Sequence, residues 1–583
     1  MNAKPLKEGW QRFLDDARLH LAHPDALLHL ALVGLLTGLA AGGVIVLFRL
    51  MVEGTQGLIL PGGGPENYEG LDWQWRLLLP LAGGLLIGLI FRWNKGSDNV
   101  LGVTKVLERM AYHQGRMSWR SLILQFVGAG VAIAAGHSVG REGPHVYLGA
   151  ASGSLLGQHL ALPHNAIRTL VACGSAAGIA ASFNTPLAGV IFSVEVIMLE
   201  YSVASITPVI LAAVSATMLS NAVFGSESAF RVAVEIGSLA EMPLVLLLGL
   251  AAGAVSALFN QAVESTTRHS QSLPFWLRTA IAGLLLGLFG VLVPQVMGIG
   301  YDTVNAALSG SLTFSLLIII LAAKLLATSS AIGLGIPGGT IGPVLFMGAM
   351  LGGLVGMIGE YPMFNGLVSN PAFYVLIGMG AMMGASLQAP LAALAAMMEL
   401  SHHPDIIMPG MLAIVVAGLV SKRAFKKDSL FVTMLRANGM DYDTNPVLQA
   451  MRRVGVASKM RRSFVRSEGS LDRAQALSLL KDEPDWLVID ADEGTKYLMP
   501  AVDLARYLEE SGEIEADTIE LSKIPAQRYQ MAAIHLQATL QETMDKLEQS
   551  GAEAIYVEQP TSPGSRRIRG ILTRSHIESA YRL

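Results

Sequence analysis

Long apolar segments follow one another from residue 27 to residue 420, and they constrain this chain more than any other feature of its sequence. A helix that crosses a bilayer needs about 20 apolar residues, so this region has room for about ten crossings. Because lipid offers no hydrogen bonds to an unpaired backbone, such segments cross as helices. Charged residues make up only 15% of the chain, whereas soluble domains contain about 25%. The sequence therefore predicts an all-α polytopic membrane domain.

The chain divides into three parts by composition. Residues 1–26 mix both charges and predict an amphipathic segment on the cytoplasmic face, residues 27–435 form the predicted membrane domain, and residues 436–583 resemble an ordinary soluble domain. Basic residues flank the apolar region at both ends. By the positive-inside rule we expect both termini in the cytoplasm. We also expect a multi-pass protein of a bacterial inner (plasma) membrane. The sequence contains no basic region that would indicate a nucleic-acid partner. The flanking basic residues are Lys422, Arg423, Lys426 and Lys427 on one side, and Lys4, Lys7, Arg12 and Arg18 on the other.

Two stretches of the membrane part occur twice. GREGPHVYLGAASGSLLG (140–157) matches GTIGPVLFMGAMLGGLVG (339–356) at 8 of 18 positions. GSAAGIAASFNTPLAGVIFSVEV (174–196) matches GMGAMMGASLQAPLAALAAMMEL (378–400) at 8 of 23. The copies are offset by 199 and 204 residues, so one half of the membrane part repeats the other.

These halves, roughly residues 27–224 and 240–421, predict an inverted repeat with the substrate held where the halves meet. Each copy has a Gly-rich break, GREGP or GTIGP, directly before an apolar helix. Glycine lets the backbone approach an ion closely, and the N-terminus of a helix offers free N–H groups and partial positive charge. Tight helix packing is the alternative reason for such glycines. Two breaks at matching positions favour an anion site formed by broken helices.

Glu142 is a carboxylate in an otherwise apolar stretch, next to Arg141. An ionised side chain at membrane depth costs at least about 2.5–3.5 kcal/mol unless it is hydrated, paired or functional. A structural pair with Arg141 is one interpretation. Adjacent residues in a turn rarely face each other, however, and the second copy has Ile341 at the matching position. We therefore expect Glu142 to act as a gate that fills an N–H-lined anion site and leaves it when protonated.

At these residues the sequence resembles the CLC family of chloride channels and chloride/proton antiporters. GREGP at 140–144, GTIGP at 339–343 and FNTPLAGVIFSVE at 183–195 are similar to motifs of that family. The resemblance extends from residue 27 to about residue 435. It implies transport of chloride or a similar small anion by a homodimer with one pore per subunit, and Glu142 as the external gate that binds protons. The implied anion site comprises Gly140, Arg141, Gly143, Gly339, Thr340, Ile341 and Gly342.

The chain departs from the family pattern within this anion site. The family's GSGIP motif is missing and GSDNVLGVTK (96–105) takes its place, so the serine that contacts the anion falls on Ser97 or on Leu101, depending on the alignment. The pore tyrosine of the family falls on Phe431, and the phenylalanine of its GxFxP motif on Ile341. Selectivity for chloride over nitrate, bromide or fluoride is therefore open.

A further departure concerns proton coupling. Antiporters of the family usually carry a proton-transfer glutamate directly after the position of Glu195, where this chain has Val196. Because valine cannot relay a proton, channel-like or uncoupled transport is favoured, and a proton-coupled antiporter is the alternative. Glu195 has a counterpart in Glu399 of the second half, which indicates a structural role at a helix end.

The C-terminal part contains two segments of one plan, at 470–490 and 539–558, in which a capped amphipathic helix leads into a β-rich run. A strand and a helix follow each. This arrangement resembles a pair of CBS modules, an α+β regulatory unit found in many CLC proteins. The nucleotide motif Gly-x-x-Thr-x-x-Asp is incomplete in both modules. Dimer stabilisation is therefore favoured over nucleotide binding, and no other cofactor is expected. The positions that match the motif region are Pro500 and Asp503 in the first module, and Thr573 and His576 in the second.

A membrane enzyme is the main rival class, because buried glutamate and histidine could serve catalysis. Within the membrane part, however, no nucleophile–base pair and no metal-ligand spacing recurs. His402, His403 and Asp405 are interpreted as a polar loop between spans, and His137 and His145 as capping or packing residues. We therefore expect neither enzyme activity nor a metal site.

Overall fold

The apolar segments form helices, as the hydropathy predicts. Among the residues that the structure describes, nine helices are long and apolar enough to cross a membrane. Others are shorter because glycine or proline interrupts them, as in Trp119–Ala134 and Pro390–Ser401. The protein is therefore a multi-pass integral membrane protein with broken helices. The computed structural model describes residues 18–23, 26–63, 66–92, 102–199, 202–226, 238–359, 369–440, 445–491, 495–510, 518–562 and 565–579.

One compact unit consists of Leu30–Leu160 and Ile167–Asp443. It contains nearly all of the following helices: α1 (Leu27–Ile59), α2 (Trp73–Arg92), α3 (Val103–Tyr112), α4 (Trp119–Ala134), α5 (Glu142–His159), α6 (His164–Phe183), α7 (Pro186–Phe192, continued by a π turn Ser193–Met198), α8 (Val203–Phe224), α9 (Met242–Ser270), α10 (Phe275–Leu292), α11 (Tyr301–Leu308), α12 (Phe314–Gly333), α13 (Ile341–Gly359), α14 (Pro371–Leu387), α15 (Pro390–Ser401), α16 (Ile407–Leu419) and α17 (Leu430–Ala437).

Small residues allow these helices to pack closely. Gly34, Gly38 and Gly42 lie one turn apart on α1 and face α8, where a methyl group on Gly38 would lie 2.6 Å from the Cα of Ala212. Leucines on the opposite face of α1, such as Leu28, remain exposed, as a lipid-facing surface requires. Van der Waals contact between small residues is the main attraction available to helices in lipid. The glycine spacing of α1 thus determines which of its faces packs inward.

The two predicted halves have matching helix boundaries. Helix α5 begins at Glu142 and α13 at Ile341, so both start directly after the Gly-rich breaks. Helices α7 and α15 begin at Pro186 and Pro390, where proline needs no N–H partner. The prediction of an inverted repeat with broken helices is confirmed.

The other unit comprises the described parts of Met1–His29, Ala161–Ala166 and Thr444–Leu583. Six of its eight described strands form one sheet in the order β1-β3-β4-β6-β7-β8, and a second sheet pairs β2 with β5. The helices are α18 (Pro446–Arg453), α19 (Val456–Lys459), α20 (Arg473–Leu480), α21 (Ala501–Glu510), α22 (Leu540–Ser550) and α23 (Arg574–Ser579), and the strands β1 (Phe464–Glu468), β2 (Ser470–Leu471), β3 (Trp486–Asp490), β4 (Lys496–Pro500), β5 (Ile519–Glu520), β6 (Tyr529–His535), β7 (Ala554–Ser562) and β8 (Ser565–Thr573).

This sheet consists of two modules with the same plan. In each, a strand pairs in parallel with the next, which pairs antiparallel with a third: β1, β3 and β4 in the first module, β6, β7 and β8 in the second. Helices α20 and α22, which follow the first strands, both begin with a capping box, at Asp472 and at Thr539. The predicted α+β pair of CBS-like modules is therefore confirmed.

Candidate functional site

The two Gly-rich breaks contact each other through their backbones. The N–H of Gly140 donates to the carbonyl of Gly339 at 2.7 Å, and the N–H of Gly339 donates to the carbonyl of Gly140 at 2.7 Å. A methyl group on Gly143 would lie 2.5 Å from the Cα of Gly339, so glycine is required there for the approach. Helices α5 and α13, one from each half, consequently begin side by side.

The carboxylate of Glu142 reaches across this crossing into the other half. Its Oε2 accepts a hydrogen bond from the backbone N–H of Gly342 at 3.1 Å, and its Oε1 accepts one from the hydroxyl of Tyr301 at 3.0 Å. The side chain is fully buried. Gly342 lies in the first turn of α13, where free N–H groups and the helix dipole favour a negative charge. Glu142 therefore occupies a position that suits an anion.

A small cavity of about 30 Å³ lies beside the crossing. Gly143, Gly339, Thr340 and Phe431 contribute to its lining, together with Thr104 of α3. The Oγ1 of Thr340 is buried and has no hydrogen-bond partner among the described residues. About 10–15 Å³ of such space holds one water molecule, so the cavity has room for a single small ion.

The structure thus brings most of the predicted anion-site residues together, although their role stays a prediction. Ile341 is the first residue of α13 and is buried. Phe431 is buried against Phe192 with ring centroids 6.4 Å apart. Val196 is buried in the π turn that follows α7. Ser97 and Leu101, the two alternatives for the family's anion-contacting serine, lie outside the described residues.

The side chain of Arg141 faces a cavity other than the small one. Its guanidinium lies 5.6 Å from the ring centroid of Tyr301 and 3.8 Å from the carboxylate of Glu53. Its side chain lines a larger cavity on the Tyr301 side and is not part of the small cavity's lining. Residue 141 starts the turn of α5, and the direction of its side chain is set by partners distant in sequence. The side chain of Arg141 therefore lies at the larger cavity, and the place of Arg141 in the anion site stays a prediction.

Two functional candidates escaped the sequence reasoning. Tyr301, the hydroxyl partner of Glu142, follows Gly300 at the start of a short helix, and no motif marks it. Lys324 is fully buried in α12, and its Nζ donates to the carbonyls of residues 296, 298 and 299. A lone cation in an apolar run is a recognisable signal of function or structure, so Lys324 could have been found.

His137 and His145 are fully buried, and His145 packs against Phe48 with ring centroids 5.4 Å apart. Packing is therefore the role that the structure supports for them. No group of three or more potential metal ligands occurs among the described residues, which include His402 and His403.

A second reciprocal contact joins the halves through Glu195 and Glu399. The carboxylate of Glu399 accepts from the backbone N–H groups of Leu187 and Ala188, at 2.9 and 2.7 Å, in the first turn of α7. Glu195 accepts in the same way, at 3.2 and 2.8 Å, from the first turn of α15. Each glutamate thus caps the broken helix of the opposite half, which is the structural role that their matching positions predicted.

Replacing Glu399 by alanine should therefore destabilise the membrane unit. The loss of an N-terminal cap costs about 0.5–2 kcal/mol, and two backbone N–H groups lose their acceptor together. We expect a melting temperature several degrees lower for the detergent-solubilised variant. Glu399→Gln, which keeps one acceptor oxygen, should lose less. Equal melting temperatures for the wild type and Glu399→Ala would contradict the capping role.

The fold and the crossing define a class: an inverted-repeat membrane protein whose broken helices face a buried, anion-suited site. Residues 83–422 match the family model described as voltage gated chloride channel. The chain belongs to this family, the CLC proteins, and is of the anion-transporting type.

Similar proteins include a ClcB-like chloride channel protein of Ralstonia nicotianae, which is 33% identical over 421 residues, 71% of this chain and 97% of the relative. An H(+)/Cl(-) exchange transporter ClcA of Klebsiella pneumoniae is 30% identical over 318 residues, 52% of this chain and 66% of the relative. The solved structure of a eukaryotic CLC transporter superposes with a TM-score of 0.60 at 20% identity, and the match covers 94% of this chain and 98% of that one.

Proposed function

We propose that this protein transports chloride or a similar small anion through the crossing of its two halves, with Glu142 as the gate. The observation that carries the proposal is the hydrogen bond from the Gly342 N–H to the Glu142 carboxylate. A buried carboxylate that takes its ligands from a helix N-terminus mimics a permeant anion. Protonation removes its charge, so the neutral side chain gives up the site and an anion enters.

Thr340 supports a small anion as the ion in the adjacent cavity. The resemblance places a serine and a tyrosine at this site, but Phe431 lacks the hydroxyl of the tyrosine. The buried Oγ1 of Thr340 offers a hydroxyl in the same cavity, beside the glycine backbone. An unpaired buried hydroxyl is costly, and a bound anion would accept its hydrogen bond.

Thr340→Val keeps the shape of this side chain and removes the hydroxyl. Because one hydrogen bond to a charged group contributes about 1.5–3 kcal/mol, we expect chloride affinity to fall about tenfold or more. The measurement is isothermal titration of detergent-solubilised protein with chloride. Thr340→Ser retains the hydroxyl and serves as the matched control. An unchanged affinity in Thr340→Val would remove Thr340 from the anion site.

On coupling, we favour channel-like or uncoupled transport, because Val196 is a buried hydrocarbon side chain that cannot carry a proton. Proton-coupled exchange is the second candidate. It is favoured by the Klebsiella pneumoniae relative, whose name describes a proton/chloride exchanger.

Liposomes that contain the purified protein and a chloride gradient separate these candidates. Chloride efflux with no accompanying proton movement supports the uncoupled pathway. Proton uptake driven by the chloride gradient, which persists when an ionophore clamps the membrane potential, would establish exchange instead. Liposomes that release no chloride, although the protein is folded, would overturn anion transport itself.

The protein is proposed to act as a homodimer in a bacterial plasma membrane, with both termini in the cytoplasm. Helices α7, α8, α15 and α16 line an apolar groove of about 610 Å³, in which Leu187, Ile210 and Leu391 are about half exposed. A second copy would fill such a concave apolar surface. A monomeric mass for the detergent-solubilised protein would contradict the dimer.

The CBS-like pair is proposed to stabilise this dimer. The hydroxyl of Thr573, at the nucleotide motif position, is already engaged with His576 Nδ1 at 3.0 Å and with Ser575 at 2.9 Å. These contacts at the start of α23 occupy the group that a ribose or phosphate would need. Nucleotide binding is therefore the less favoured role.

A further inference from the structure

Glu142 has a second partner that points away from the small cavity. Its Oε1 accepts from the hydroxyl of Tyr301, the first residue of α11, at 3.0 Å. Tyrosine offers both a proton donor and an acceptor on one oxygen. The gate carboxylate is therefore held from both sides, by a backbone N–H of α13 and by a hydroxyl that can itself exchange protons.

Tyr301 also lines a cavity of about 500 Å³, which is separate in its lining from the small cavity. About 10–15 Å³ of such space holds one water molecule, so a polar cavity of this volume holds many. The titratable and charged groups that face it come from α1, the loop after α1, α5 and α11. They are Arg49, Glu53, Glu66, Arg141, His145 and Asp302.

Glu66 lies close to the tyrosine–gate pair. Its side chain lines the same cavity as Arg141, Tyr301 and Asp302. Its backbone has a φ of 70°, a left-handed conformation that is costly for a glutamate. The fold thus keeps an acidic group in the cavity that Tyr301 lines, at the expense of local strain.

The segment that precedes Tyr301 in the chain is held by close contacts. Gly300 has a φ of 84°, and a methyl group there would lie 2.6 Å from the ring of Phe346. The buried Nζ of Lys324 binds three carbonyls of the preceding segment, residues 296–299, at 2.9–3.3 Å. These contacts hold the backbone segment that directly precedes Tyr301.

We propose that Tyr301 and the charged groups of this cavity set the pH at which Glu142 gains and loses its proton. The inference rests on the proposed gating function and assigns the residues that tune its pH response. The Tyr301 hydroxyl donates to Oε1 of the ionised carboxylate and so favours the charged gate. The negative charges of Glu66 and Asp302, which line the same cavity as Tyr301, favour the protonated gate.

The test is the pH at which chloride efflux from liposomes reaches half of each variant's own acid maximum, with equal pH on both sides. Tyr301→Phe removes a donor to the ionised carboxylate, so the gate is protonated more readily and the midpoint should rise by about one pH unit. Glu66→Gln and Asp302→Asn each remove a negative charge near the gate. The ionised carboxylate of Glu142 is then less strongly repelled, so the midpoint should fall by about half a pH unit. Tyr374→Phe, which deletes a buried tyrosine–glutamate hydrogen bond to Glu241, should leave the midpoint in place.

The proposal is supported if the midpoint rises in Tyr301→Phe and falls in Glu66→Gln and Asp302→Asn. Neither shift should occur when these changes are combined with Glu142→Gln. A Tyr301→Phe midpoint equal to that of the wild type overturns it, as does an upward shift in Glu66→Gln. These outcomes differ from failure of the gate itself, in which the wild type shows chloride efflux that does not respond to pH at all.

Discussion

Glu142→Gln is expected to release chloride at neutral pH at the rate that the wild type reaches only in acid. The ionised carboxylate has two hydrogen bonds at the crossing, to Gly342 and Tyr301. Hydrogen bonds to charged groups contribute roughly 1.5–3 kcal/mol each, so the ionised gate outcompetes a permeant anion. Glutamine has the same shape but is always neutral, and it therefore behaves like the protonated gate. We expect at least about a tenfold increase in efflux at neutral pH.

Chloride efflux from liposomes between pH 4 and pH 9 measures this effect. Glu264→Gln is the matched control, because that carboxylate pairs with Arg268 and Lys427 at 2.7 and 3.1 Å and lies outside the crossing. The control should keep the pH profile of the wild type. If Glu142→Gln also keeps it, Glu142 is not the gate. The result does not depend on whether protons are transported stoichiometrically, since a gated channel and an exchanger both need the side chain to become neutral.

The sequence predicted the parts of this site that local chemistry determines. The apolar lengths and the two Gly-rich breaks sufficed to predict broken helices, and the lone carboxylate in the first break, Glu142, made that residue the candidate gate. The matching positions of Glu195 and Glu399 likewise predicted a helix-end role, which their reciprocal contacts with α15 and α7 support.

The parts that the sequence did not predict depend on contacts between distant segments. Tyr301 lies 159 positions from Glu142 in the chain, and nothing beside it indicates that its hydroxyl reaches the gate. The guanidinium of Arg141 lies near Glu53 and Tyr301, two residues far from it in the chain, and it lines the larger cavity. Arg141 and Gly143, two residues apart, thus line different cavities. The direction in which the Arg141 side chain points cannot be predicted from the neighbouring sequence.

Gly143→Ala is expected to abolish transport. The added methyl carbon would lie 2.5 Å from the Cα of Gly339 and 3.1 Å from the carbonyl oxygen of Gly338. Both are backbone atoms of the opposite half, so no side chain can move to make room. Separating the halves would break the paired hydrogen bonds between Gly140 and Gly339. The N-terminus of α13 would then no longer face the carboxylate of Glu142. We expect chloride efflux to fall to the level of protein-free liposomes.

Gly43→Ala is the matched control for this loss, because a methyl group on Gly43 of α1 meets no atom within 4 Å. Alanine is favoured over glycine within a helix by about 0.5–1 kcal/mol, so this variant should transport normally and melt at the same or a higher temperature. The melting temperature of Gly143→Ala distinguishes two possible causes of its inactivity. A lower value means that the crossing holds the halves together, whereas a value near that of the wild type means that the methyl group displaces the gate alone. Normal efflux from Gly143→Ala would contradict the close approach of the two halves, and with it the placement of the anion pathway at their crossing.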